Sequence, residues 1–108
     1  MSKITVLVFE PGKEPYVKEI EDKLERLQAM VGGYIQALYP FDDSVAIIAN
    51  EEGKLLGLPW NRPLTDDEGV IYDIIAGTFF ITGLTEDNFG SLSEELIEKY
   101  KHKFKRRF

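Results

Sequence analysis

The stretch Lys3-Ile4-Thr5-Val6-Leu7-Val8-Phe9 constrains this chain more than any other. Side chains alternate across a strand, so Ile4, Val6 and Val8 share one face while Thr5, Leu7 and Phe9 share the other. Both faces are apolar, and a strand apolar on both sides belongs in the middle of a sheet, away from water. With 108 residues there is chain for one domain, 1–108, built around such a strand. A second β-rich stretch, Thr78-Phe79-Phe80-Ile81-Thr82 between Gly77 and Gly83, reads as another strand on which the sheet centres, with the strand order left open.

Turn chemistry divides the rest. Glu10-Pro11-Gly12-Lys13-Glu14-Pro15 predicts a reversal into a return strand over Tyr16–Ile20. Asp22 and Glu25 have capping-box spacing, and Leu24, Leu27 and Val31 then recur at three and four, predicting a helix over about 22–31. Gly32-Gly33 ends it, since glycine enters the left-handed region at little cost. Tyr34–Tyr39, Ser44–Ala49 and a short Lys54–Leu56 read as an antiparallel meander. Gly57 to Gly69, with Pro59 and Pro63, reads as the longest irregular loop. Val70–Ile75 fits a strand or a short helix. Ser91 and Ser93 are alternative caps of a last helix, Ser91 with Glu94 in capping-box spacing, whose apolar stripe is Leu92, Leu96, Ile97, Tyr100 and Phe104.

The expected fold is therefore α+β: a mostly antiparallel sheet of five to six strands with two helices in a single layer on one face. Core candidates are Val6, Val8, Leu24, Leu27, Val31, Ile35, Val45, Ile47, Phe79, Ile81, Leu96 and Tyr100.

Composition narrows the chemistry. There is no Cys and a single His, His102, which removes thiol nucleophiles and Cys-ligated metals and leaves little for a Ser-His-Asp triad. Charge is lopsided within a net of −6. Residues 99–108 hold six of the thirteen Lys and Arg and no acid, so seven basic and nineteen acidic side chains remain in 1–98, a balance of −12. The apolar start Ile4–Phe9 is too short for a secretion signal, and the uncharged stretch Ile74–Leu84 is eleven residues against the about 20 of a membrane span. A cytoplasmic protein without membrane contact is the expectation.

Three stretches together resemble a known family. They are Leu27-Gln28-Ala29-Met30-Val31-Gly32-Gly33-Tyr34-Ile35, Asn50-Glu51-Glu52-Gly53-Lys54-Leu55 with Leu58-Pro59-Trp60-Asn61-Arg62, and Asp73-Ile74-Ile75-Ala76-Gly77-Thr78-Phe79-Phe80. In order and spacing they are similar to domain-of-unknown-function family 3846. The resemblance implies small cytoplasmic proteins carried by bacterial plasmids, phages and conjugative elements. It supplies no catalytic residue to carry over.

Among candidate sites, Trp60, Asn61 and Arg62 come first: two prolines flank a Trp, an amide and a guanidinium, side chains that dominate interfaces. Asn61 and Arg62 are expected as exposed recognition groups. The plainer reading has Trp60 plugging the core, a burial worth about 5 kcal/mol for roughly 200 Å², and Arg62 paired with Asp66 or Asp67. Acid pairs Asp42-Asp43, Glu51-Glu52 and Asp66-Asp67-Glu68 sit at predicted turns without metal-loop spacing, so they read as solvated and no metal or cofactor is expected. The basic end offers Lys101, Lys105, Arg106 and Arg107 as polyanion contacts. About five neutralised phosphates would give a salt slope near −4.5, while the −12 body opposes a polyanion. A solvated helix end is the plainer reading, and His102 reads as a surface histidine.

The functional expectation is a non-enzymatic accessory protein of a mobile element that binds another protein through the sheet face or the Pro59–Pro63 loop. The rivals are a weak nucleic-acid binder or polyanion mimic, and a small-ligand binder or enzyme using the 58–68 loop. Sequence leaves partner identity and oligomeric state open.

Overall fold

The computed structural model of the chain describes residues 3–105. β1 (Lys3–Phe9) pairs antiparallel with β2 (Tyr16–Glu21) through the Glu10–Pro15 reversal. α1 (Leu24–Val31) follows, then β3 (Ile35–Leu38) and β4 (Val45–Asn50), paired antiparallel. A separate hairpin of β5 (Trp60–Thr65) and β6 (Ile71–Ala76) precedes β7 (Phe79–Leu84), β8 (Phe89–Gly90) and α2 (Glu94–Lys103). The main sheet runs β2-β1-β7-β4-β3, with β8 on β7, and every neighbouring pair is antiparallel. This is the α+β, mostly antiparallel, six-stranded sheet that the patterning predicts, centred on β1 and β7.

The helices do not share a face. Ile4, Val6, Val8, Ile20, Ala46, Ile48 and Phe80 form one apolar layer, closed by Leu27 and Val31 of α1. Leu7, Phe9, Val45, Ile47, Phe79 and Ile81 form the opposite layer, closed by Leu64 and Ile75 of the hairpin and by Ile97, Tyr100 and Phe104 around α2. The expected single layer of helices is thereby corrected, for a reason β1 already carries. A strand apolar on both faces requires cover on both. Aromatic rings dominate the second layer: Phe9 stacks on Phe79 at 4.8 Å, and Phe104 meets both edge-on at 5.3 and 5.8 Å.

Several boundaries move. α1 starts at Leu24 with Lys23 as a cap whose side chain makes no capping bond, and Asp22 instead accepts from Asn88 Nδ2 at 3.0 Å. Leu24 is 56% exposed, since the cover from α1 comes from Leu27 and Val31. Gly32 closes the helix at φ 78°, with its N–H on Gln28 O. The expected Lys54–Leu56 strand is a run of turns: Leu56 N–H donates to Glu52 O at 2.9 Å and Gly57 N–H to Lys54 O at 3.1 Å. Conversely, the expected Gly57–Gly69 loop contains β5. Pro63 argued against a strand, but the hairpin tolerates it with irregular register on either side, at Trp60/Arg62 and Leu64/Thr65.

Ser93 caps α2, accepting from Leu96 N at 3.3 Å, while Ser91 Oγ accepts from the Thr5 N–H at 2.9 Å. Gly83 cannot be larger: a Cβ there would lie 2.3 Å from Ser91 O. Among the described residues, no helix is long and apolar enough to cross a membrane.

Candidate functional site

Trp60, Asn61 and Arg62 open β5, where the pairing skips from Trp60↔Ala76 to Arg62↔Ile75. One extra residue on the β5 side is a bulge, and a bulge releases successive side chains from strict alternation. Asn61 and Arg62 consequently both turn inward and are fully buried. The expectation that they are exposed recognition groups is corrected.

Their polar atoms are used inside the protein. Asn61 Nδ2 donates to Phe9 O at 2.9 Å and to Gly77 O at 2.8 Å. Arg62 Nε donates to Phe104 O at 2.9 Å and Nη2 to Lys13 O at 2.7 Å. Nη1 reaches Asn61 Oδ1 at 2.6 Å, and the guanidinium carbon lies 5.3 Å from the Phe9 ring centre. The pair thus ties the end of β1, the following reversal, the β6–β7 turn and the end of α2 together. It is a positioning device. Arg62 does not pair with Asp66, whose Oδ1 accepts the backbone N–H groups of Glu68 and Val70, each at 2.9 Å. Trp60 is 49% exposed, so it is not the plug of the core.

The 51–73 segment turns many apolar side chains outward. Of eleven exposed large hydrophobic residues among the described ones, six lie here: Leu55, Leu56, Trp60, Val70, Ile71 and Tyr72. Leu55 is 86% exposed and Tyr72 57%. Sequence reasoning missed all of these but Trp60. The available signal was two leucines in a turn-rich stretch, where no strand pairing would bury them.

Beside them is a cavity of ≈220 Å³, walled by Leu38 and Ala49 of the sheet, Ile74 and Ile75 of β6, and Leu55. Lys54 Nζ and Asp73 form an ion pair among the residues that line it, and that hydrogen bond holds the Asp73 carboxyl below its usual range.

Acidic turns diverge in their roles. Asp43 is not merely solvated: its Oδ2 accepts from Lys99 Nζ and from the buried Tyr100 hydroxyl, each at 2.6 Å. Those two bonds, Lys99 first, hold Asp43 low, while burial and then Asp43 push Tyr100 well above the normal tyrosine range. The missed signal was Tyr100 on an apolar stripe, where a buried hydroxyl needs a partner. A polar cleft of ≈320 Å³ beside this contact is lined by Asp42, Asp43, Asp67, Lys99 and Lys103. Among the described residues, no three His, Asp or Glu side chains gather as a metal site.

The basic end is partly occupied. Lys99 pairs with Asp43, Lys101 with Glu98 at 3.5 Å, and Lys103 Nζ sits 5.4 Å from the Phe41 ring centre. Lys105 and His102 are exposed, and Arg106 and Arg107 lie outside the described residues.

Neither the curated proteins nor the solved structures contain a match to the chain. A family model described as Domain of unknown function (DUF3846) matches residues 4–105. That match spans both apolar layers, the Asn61–Arg62 tie and the exposed segment between β4 and β7, and the chain belongs to this family.

Proposed function

We propose that the protein is a non-enzymatic accessory protein, of the mobile-element context implied by the family resemblance, that binds another protein through the surface of the 51–73 segment. The observation that carries this reading is the concentration of exposed apolar side chains there, Trp60 and Tyr72 among them. Aromatic residues are the side chains from which interfaces draw most of their energy. The polar pair between them is used internally, which ties the start of β5 to the body of the protein while Trp60 stays outward. Side chains anchored in this way need less ordering on binding.

The rivals draw less support. Arg62 is buried and cannot face a small ligand in the 58–68 loop. Lys99 and Lys101 already face carboxylates, which weakens the polyanion reading.

Affinity capture from host extract after nuclease treatment tests the proposal, with the wild-type chain beside Trp60→Ser/Tyr72→Ser and a Glu86→Gln/Asp87→Asn control. A protein retained by wild type and control but lost with the double serine variant supports it. Equal retention by all three, or retention that disappears on nuclease treatment, overturns it.

A further inference from the structure

The exposed apolar residues of the 51–73 segment lie between two groups of carboxylates. Glu51 and Glu52 open the turn that carries Leu55 and Leu56, with Leu56 N–H on Glu52 O at 2.9 Å. At the other end Asp66–Glu68 form the β5–β6 turn, where Asp66 N–H donates to Val70 O at 2.9 Å beside Ile71 and Tyr72. These ends belong to one unit. A Cβ on Gly53 would lie 2.7 Å from Ala76 O, Trp60 pairs with Ala76, and Leu58 packs at Gly77, so the Leu55 turn sits at the base of the hairpin. By register, Trp60 and Ile71 share the hairpin face opposite to Leu64 and Ile75, which enter the core. β6 is six residues, about 20 Å at roughly 3.3 Å each, or close to four turns of a helix.

The segment has two cations, and neither is displayed freely. Lys54 pairs with Asp73, and Arg62 is interior. Glu51, Glu52, Asp66 and Glu68 are exposed and make no ion pair among the described residues, while Asp67 lines the cleft that holds Lys99 and Lys103. An apolar strip with negative ends attracts a partner of opposite edge charge and repels an acidic one.

We infer that this surface docks a cationic amphipathic segment of a partner protein, apolar side against Trp60 and Ile71, Lys or Arg toward the glutamates at either end. The inference rests on the protein-binding reading above and names the partner class.

Trp60 is the sole tryptophan, so its emission reports occupancy directly. The probe is an amphipathic helical peptide of Leu and Lys, about 18 residues long. Its counterpart carries Glu in place of Lys. The expected result is a saturable blue shift with the Leu/Lys peptide and none with the Leu/Glu peptide. Binding weakens about tenfold in Glu51→Gln/Glu52→Gln/Glu68→Gln, with circular dichroism unchanged, and stays the same in Glu86→Gln/Asp87→Asn. No saturable shift, an equal response to both peptides, or equal losses in the two variants overturns the inference. If the differential capture succeeds while this titration fails, protein binding stands and the cationic partner is wrong. If both fail, both readings fall.

Discussion

Arg62 donates through Nη1 to Oδ1 of its neighbour Asn61 at 2.6 Å, and both side chains are shut away from solvent. Two adjacent strand residues normally point to opposite faces. Here the bulge at the start of β5 turns both inward, where four backbone carbonyls from other parts of the chain meet them: Phe9 and Gly77 for Asn61, Phe104 and Lys13 for Arg62.

Arg62→Met keeps much of the apolar stem but leaves the Phe104 and Lys13 carbonyls without those donors. The expected cost is about 2–4 kcal/mol, from buried acceptors at about 1–2 kcal/mol each. Urea unfolding followed by circular dichroism measures it, and a loss below about 0.5 kcal/mol, the range of neutral surface changes, contradicts the structural role.

Thr82 is fully buried and its hydroxyl has no hydrogen-bond partner among the described residues. Thr82→Val replaces that hydroxyl with a methyl of the same shape, removing an uncompensated desolvation cost. The substitution is expected to stabilise by about 1 kcal/mol, raising the thermal midpoint by roughly 4–8 °C. A lowered midpoint shows that the hydroxyl is satisfied in solution.

The Asp43 contacts with Lys99 and Tyr100 make stability depend on pH with a definite sign. Its folded pKa is depressed, so the stabilisation is fully present above the ordinary Asp value of about 3.9 and is lost as pH falls through the lower folded value. Asp43→Asn should therefore be less stable than wild type at pH 7, with the gap closing on acidification toward pH ~2. Urea midpoints across that range are the measurement. A gap that widens toward acid contradicts the assignment. At the alkaline end Tyr16, pushed up to about 12 chiefly by its hydrogen bond to Glu10, stabilises below about pH 10 and ceases to do so as pH rises through 12.

Ser91 and Ser93 look alike as caps in sequence but have different jobs. Ser93→Ala is expected to cost about 1 kcal/mol through α2. Ser91→Ala instead deprives the Thr5 N–H of its acceptor and should speed hydrogen exchange at that amide. Exchange at Thr5 that responds to Ser93→Ala alone reverses the assignment.

The apolar periodicities that made β1, β7 and α2 legible in sequence are local properties, and they also set which residues reach the core. The two-sided β1 pattern implied cover on both faces, yet which element supplies it depends on chain path, and periodicity carries no path. Asn61 and Arg62 misled for a related reason. Their exposure is decided by a bulge, and a bulge follows from pairing with Ile75 and Ala76 far along the chain. Pro63 hid β5, because proline excludes a central ladder position but not a place in a two-stranded hairpin. The exposed leucines at 55 and 56 became visible only once the expected Lys54–Leu56 strand proved to be turns.

Protein binding through the outward face of the 51–73 segment is tested most directly by placing a photo-crosslinking benzophenone side chain at position 60 and irradiating living host cells. One discrete protein adduct, formed from position 60, absent from position 86 on the β7–β8 turn and lost when Leu55 and Tyr72 are both changed to Asp, is the expected result. No adduct from position 60, or the same adducts from position 86, contradicts it.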